Sequence, residues 1–259
     1  MEFENLLYDR WSWVFVILYA VGSLMVSISS YLQEAYFSAI ASVPVMFINM
    51  VAPIFIVIIL AMSLSQVFAK ETEDNTDQIP NTCYLGSKGR NICKVISGIL
   101  YTIFIVLLIS AITFIVCLIT NHFLNADVEI IRYIGDELTL NFSWNIWQHF
   151  TFGIVALLMG SIIFSLIVLL VSYLSKSTLT AISITVIFTI FEFLFNRFSF
   201  PMIPKEVNVW AFLQPYYLYV FNIFNYSPYI NLFLLFFIFL IIILILSYSA
   251  KIIKRIRSK

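Results

Sequence analysis

Residues 68–94 read FAKETEDNTDQIPNTCYLGSKGRNICK and run from Phe68 to Lys94 between two long oily stretches. Glu71, Glu73, Asp74 and Asp77 crowd together here, close to Lys70, Lys88, Arg90 and Lys94. A charged hairpin between two apolar runs suggests a contact surface on the inner side of a membrane. Everything on either side of it is greasy.

Hydrophobic residues make up 62% of the 259-residue chain and charged ones 11%, with a mean hydropathy of +1.00. Soluble proteins average ~45–50% and ~25% respectively, so an ordinary soluble domain is excluded. A formal net charge of zero argues against nucleic acid as a partner, because phosphate binding needs a basic face. Six apolar runs reach the ~20 residues that a helix rising 1.5 Å per residue needs to cross a bilayer. They lie at about 11–32, 44–68, 95–120, 150–174, 179–195 and 230–250. The expected fold is an all-α polytopic membrane protein of six transmembrane helices, with residues 1–259 as one domain. The amino-terminal MEFENLLYDR is acidic and lacks a small-residue cleavage site, so the first run is expected to remain as a span.

Lysine and arginine counted by loop set the orientation. Arg10, Lys70, Lys88, Arg90, Lys94, Lys176, Lys251, Lys254, Arg255, Arg257 and Lys259 fall on one side, against Arg132, Arg197 and Lys205 on the other. Both termini, the hairpin and the turn at 175–177 are therefore expected in the cytoplasm. Cys83 and Cys93 would face a reducing compartment and Cys117 would lie within the third span, so no disulfide is expected. Two loop cysteines without a nearby histidine fall short of a tetrahedral zinc set, and no metal site is expected.

Phe3, Leu6, Leu7 and Arg10 recur at helical spacing and predict a short amphipathic helix on the inner surface. In the first span Ser23, Ser27 and Ser30 share one face beside Gly22. Small hydroxyl residues let helices approach closely in lipid, so the stripe reads first as packing and second as a substrate contact. The second span holds Asn49 and Pro53. Proline offers no N–H to the carbonyl of residue 49 and crowds it, so a kink is expected there. It is either structural or a transport hinge.

After Phe68, residues 70–79 predict a short helix that places its acids near the positive, amino-terminal end, with Pro80 discouraging continuation. Glu73 and Asp77 stand four apart and Glu71 and Asp74 three apart. Like charges at those spacings repel slightly, and an outside partner would help to hold them. Gly86-Ser87-Lys88-Gly89 reads as a turn, with helix resuming near Arg90. His122 and His149 bound a loop carrying Asp127, Glu129, Asp136 and Glu137; no metal-ligand spacing is present, and these read as solvated loop residues. Ala156 with Gly160, and Ser161 with Ser165, are small-x-x-x-small pairs that predict a fourth span packed on other helices. Glu192 is the only acid well inside an apolar run. It is either functional, as intramembrane charges often are, or an ion-pair partner of Arg197.

The pattern Phe68-x-x-Glu71-x-Glu73, then Pro80, then a Gly/Ser/Arg stretch ending in Lys94 before an apolar helix, resembles the ABC type-2 exporter permeases. The resemblance covers nearly the whole chain through its six-span layout, length and inner termini. It implies that the loop between spans two and three forms a coupling helix seated on an ATPase, with Glu71, Glu73, Asp74 and Asp77 at the contact. It also implies short re-entrant outer helices between spans five and six, where VWAFLQPYYLY (209–219) resembles that element. This chain departs from the family's pattern in two places. Its amino terminus lacks a basic run, and Asp74-Asn75-Thr76 replace the usual small residue after the acids.

No G-x-x-x-x-G-K-[ST] phosphate loop occurs, so an ATP-driven protein of this sequence needs a separate motor chain. The expected partners are two ABC ATPase subunits, a second permease copy or paralogue, and membrane lipid; no nucleic acid, cofactor or catalytic constellation is implied. The resemblance implies a multi-pass permease of the bacterial cell membrane that is not itself an enzyme. It would export an amphipathic or hydrophobic substrate by alternating access, with an antimicrobial peptide or bacteriocin as one candidate. Ser23, Ser27, Asn49, Pro53 and Glu192 are the substrate-path candidates. The alternative is an ATP-independent secondary transporter or channel, which calls for more polar groups in mid-membrane.

Overall fold

Lipid offers no hydrogen-bond partners, so a spanning segment must satisfy its backbone internally, as a helix or a closed barrel. The computed structural model of this chain is built of helices joined by turns, with no strand among the described residues. Those residues are 2–32, 43–44, 46–74, 86–120, 145–198 and 228–257, excluding the side chains at 2, 30–32, 86–88, 192–198, 228–229 and 250–257. In order they form α1 (Glu2–Leu7), α2 (Arg10–Leu32), a π-helical turn (Phe47–Val51), α3 (Ala52–Leu64) and α4 (Gln66–Glu73). These are followed by α5 (Gly86–Ile119), α6 (Ile146–Leu174), α7 (Thr178–Phe198) and α8 (Pro228–Arg257).

Among the described residues five apolar helical stretches are long enough to cross a membrane: Arg10–Ser29, Phe47–Glu73, Gly89–Ile119, Ile146–Leu174 and Ile230–Ser249. The chain is thus an all-α, multi-pass membrane protein. The expected fifth run coincides with α7. Its described apolar part, Thr178–Phe191, is shorter than the ~20 residues a crossing takes.

Helix α6 is the hub, packing against α3, α4, α5, α7 and α8. Ala156, Gly160, Ser161 and Ser165 are all buried, as the small-residue pairs predict. Lipid tails are as apolar as leucine, so close van der Waals fit and hydrogen bonds, not water exclusion, hold such helices together. Gly98 on α5 shows the fit: a Cβ there would come within 2.9 Å of Leu169 on α6. The π-turn–α3–α4 stretch is 67% buried, against 28% for the first candidate span and 22% for the last. The second and fourth spans therefore form the centre, and α2 and α8 turn broad apolar faces outward.

Three local expectations are corrected. The predicted turn at 86–89 is the first turn of α5, which begins at Gly86. Two glycines cost a helix about 1 kcal/mol each, and the long helix they open outweighs that. The helix after the second span is α4, Gln66–Glu73, rather than one starting at Lys70. Its acids therefore lie at the carboxy-terminal end, where the helix dipole disfavours them. His149, expected in a solvated loop, is 2% exposed and belongs to the first turn of α6. That helix starts at Asn145, whose side chain forms a capping box with Gln148.

Candidate functional site

The acids of the hairpin meet their partners at one end of the bundle. Glu71 Oε2 accepts from Arg90 at 2.6 Å, and Glu71 Oε1 lies 2.5 Å from Lys94 Nζ. Both cations come from the first turns of α5. Lys94 is 1% exposed; it also donates to the Val67 carbonyl at 2.6 Å and sits 4.9 Å from the Phe68 ring centroid. A buried ammonium is tolerable only when paired and hydrogen-bonded, and α4 supplies all of these contacts. Glu73 reaches another element: its Oε2 accepts from Thr178 N at 2.9 Å and Thr178 Oγ1 at 2.7 Å. A carboxylate at the start of α7 satisfies an N–H with no partner inside the helix and suits the positive end of the dipole.

Helix α4 is seated from below by α6. Ser172 Oγ accepts from Phe68 N at 3.0 Å and Ala69 N at 3.1 Å, and donates to Ser65 O at 2.8 Å. The residue that starts α4, Ser65, makes no side-chain cap of its own, so Ser172 caps it from another helix. Phe68 stacks edge-on against Tyr173, ring centroids 5.6 Å apart. The short helix is therefore tied to α5, α6 and α7 at once. Asp74, by contrast, is exposed, and Asp77 lies outside the described residues.

A second polar knot lies beside it. Asp9, between α1 and α2, accepts from Ser12 Oγ at 2.8 Å and Ser63 Oγ at 2.9 Å, and Tyr101 Oη is 3.2 Å from Ser63. Asp9, Gln66, Lys70, Glu71, Asp74 and Lys94 help to line a cleft of about 500 Å3 between α1, α3, α4 and α5. Acids and bases mix along its walls, so the cleft presents no single sign of charge.

Toward the opposite end of the bundle several of the polar contacts among the described residues are buried. Ser27 on α2 is 2.6 Å from Thr120 Oγ1, and nearer the middle Tyr19 Oη meets Thr113 Oγ1 at 2.5 Å. Ser23 is buried and donates to the Ala20 carbonyl. Asn49 Nδ2 lies 3.1 Å from His149 Nε2, while Asn49 Oδ1 has no partner among the described residues. Where a kink is expected beside Pro53, the structure has a π-helical turn, closed by Ala52 N–H bonding to the Phe47 carbonyl. Such wide turns shift the helix face and recur at functional sites. Glu192 stands on α7, its side chain outside the described residues. The segment 199–227, including 209–219, also lies outside them. Among the described residues no three His, Cys, Asp or Glu side chains are placed to hold a metal ion.

No family model matches this chain, and no curated protein matches it either.

Proposed function

We propose that the chain is the membrane subunit of an ATP-driven ABC exporter of the bacterial cell membrane, moving an amphipathic or hydrophobic substrate by alternating access. The observation that carries this reading is the three-way attachment of α4. A short surface helix bonded to α5 through Glu71, to α7 through Glu73 and to α6 through Ser172 would transmit a push to three spans at once. Helix α4 with the loop after it would be the coupling element. Glu71 and Glu73 would fasten it to the bundle, and Asp74 and Asp77 would face the motor. The charged end would be cytoplasmic by its excess of lysine and arginine. The six-span reading gains support from parity: α7 starts at the charged end, where Thr178 meets Glu73, and α8 returns toward it at Ser247, which lines the same groove as Asn91. Closing two ATPase subunits would shift the coupling helices of two permeases and rearrange α2, α3 and α7 around a central path. Ser23, Ser27, Asn49, Pro53 and Glu192 remain the candidates for lining that path, and a peptide such as a bacteriocin is one candidate cargo.

Reversing Asp74 and Asp77 to lysine tests the coupling role while leaving Glu71, Glu73 and Ser172 in place. ATP-dependent export should fall at least tenfold while the protein stays folded and membrane-inserted. Full export by the reversed variant would remove the loop from the mechanism.

One observation favours a second reading, an ATP-independent, ion-coupled transporter. His149 is an ionisable group buried inside an apolar helix, and such groups often mark ion paths. That reading expects transport to respond to a proton gradient in vesicles free of ATP, and to lose the response in His149→Gln.

A further inference from the structure

Where α1 gives way to α2, the oxygens of Asp9, Ser12 on α2 and Ser63 on α3 close into a triangle. Asp9 Oδ2 stands 2.8 Å from Ser12 Oγ and 2.9 Å from Ser63 Oγ, and the two hydroxyls are 2.5 Å apart. Each contact is as short as an O–H···O hydrogen bond. A hydroxyl carries one hydrogen and an ionised carboxyl none, so two hydrogens serve three contacts. One pair of oxygens therefore meets with no hydrogen between them. Tyr101 Oη on α5, 3.2 Å from Ser63 Oγ, adds a fourth oxygen beside the triangle rather than a hydrogen within it. Ser12, Ser63 and Tyr101 are 3%, 2% and 1% exposed, so bulk water does not relieve the contact.

The nearby cations do not relieve it either. Asp9 makes no salt bridge among the described residues, for Lys94 on the same cleft wall is taken by Glu71 and Lys70 is exposed. A positive charge shared by the oxygens would resolve the triangle. We infer that Asp9, Ser12 and Ser63, with Tyr101 beside them, form a binding site for a monovalent cation, sodium. Hard cations take oxygen ligands, and one carboxylate balances one positive charge. With no imidazole or thiolate in the set, transition metals are poorly served. Asp9 and Ser63 also line the cleft of about 500 Å3, which gives the ion a route in and room for water to complete its shell. The oxygens would part slightly to admit it. An ion held there would fasten the start of α2 to α3 and α5. The inference does not depend on the exporter reading.

The test is sodium binding by the full chain in detergent. The protein is equilibrated with radioactive sodium chloride at mildly alkaline pH, choline chloride holding the ionic strength constant, and its melting temperature is followed in parallel. Wild type should retain one sodium ion per chain and melt higher in sodium than in choline, because a ligand that binds only the folded state stabilises it. Asp9→Asn keeps an acceptor and brings two N–H hydrogens of its own. It should fold, retain no sodium and melt at the same temperature in both salts. Ser12→Ala, which removes one oxygen of the triangle, should lose most of the bound sodium. Wild type that retains no sodium and melts equally in both salts would overturn the assignment. So would a sodium response that survives Asp9→Asn, which would place the ion elsewhere. If acidification in choline raises the melting temperature while sodium adds nothing, the missing charge is a proton and the cation site is refuted.

Discussion

Lys94 decides what the acidic cluster is for. A lysine ammonium with 1% of the residue exposed has to be neutralised where it stands, and Glu71 does this at 2.5 Å. Removing one partner of a buried pair costs ~3–5 kcal/mol, whereas replacing both with apolar residues of similar volume is often close to neutral. Glu71 keeps some access to water, so the lower end applies. Glu71→Ala should destabilise the bundle by about 3 kcal/mol, read from detergent unfolding followed by helical circular dichroism. The double variant Glu71→Leu, Lys94→Met should recover most of that loss. Equal losses in the two would show that the ion pair is not what matters there. The sequence made the cluster visible but not its partners. Its four acids are neighbours in the chain, while Arg90, Lys94 and Thr178 come from other helices, and nothing in the spacing of residues 71–77 points to them. An apparent need for an outside partner is met, for Glu71 and Glu73, within the protein.

At the scale of one element, α4 exists because a different helix completes it. Its first N–H groups have no carbonyls behind them, and Ser172 Oγ takes two of them. A buried donor left unpaired costs ~1–3 kcal/mol. Ser172→Ala should therefore lower stability by about that amount and raise amide exchange across residues 66–73 more than elsewhere. Uniform exchange across the bundle would contradict it. Ser172 was out of reach of sequence reasoning, since one more serine on a small-residue face looks like packing. The small-residue pairs of the fourth span, in contrast, were legible, because inward packing is a property of the helix's own spacing. Pro53 announced an irregular second span but not its kind. Missing one N–H is compatible with a kink or a wide turn, and burial of Phe47, Ile48 and Asn49 goes with the π-helical form. His149 was misread because the apolar run begins at Phe150. The helix starts earlier, at the capping box of Asn145 and Gln148, and carries the histidine inside with it.

For the whole molecule, length and hydropathy gave the class directly: apolar runs of bilayer length admit few structures. What they left open was which helices sit at the centre, since every span is nearly uniformly apolar and hydropathy by itself distinguishes no face. Small residues, hydroxyl pairs such as Ser27–Thr120 and the buried Asn49–His149 contact supply that order. The charge bias adds a direction. Cys93 is exposed near the start of α5 at the charged end, and Cys117 is buried. In a Cys83→Ser background, a membrane-impermeant maleimide should therefore label Cys93 in inverted vesicles and leave it untouched in intact cells. Labelling from outside would invert the topology and take the coupling role with it.

The most direct measurement of the central proposal is affinity purification of the chain from cells that express it with its native genetic neighbours, followed by an ATP-hydrolysis assay. A phosphate-loop ATPase should co-elute and hydrolyse ATP, and Asp74→Lys with Asp77→Lys should release it. A folded protein that transports its substrate with no ATPase bound, and no dependence on ATP, would contradict it.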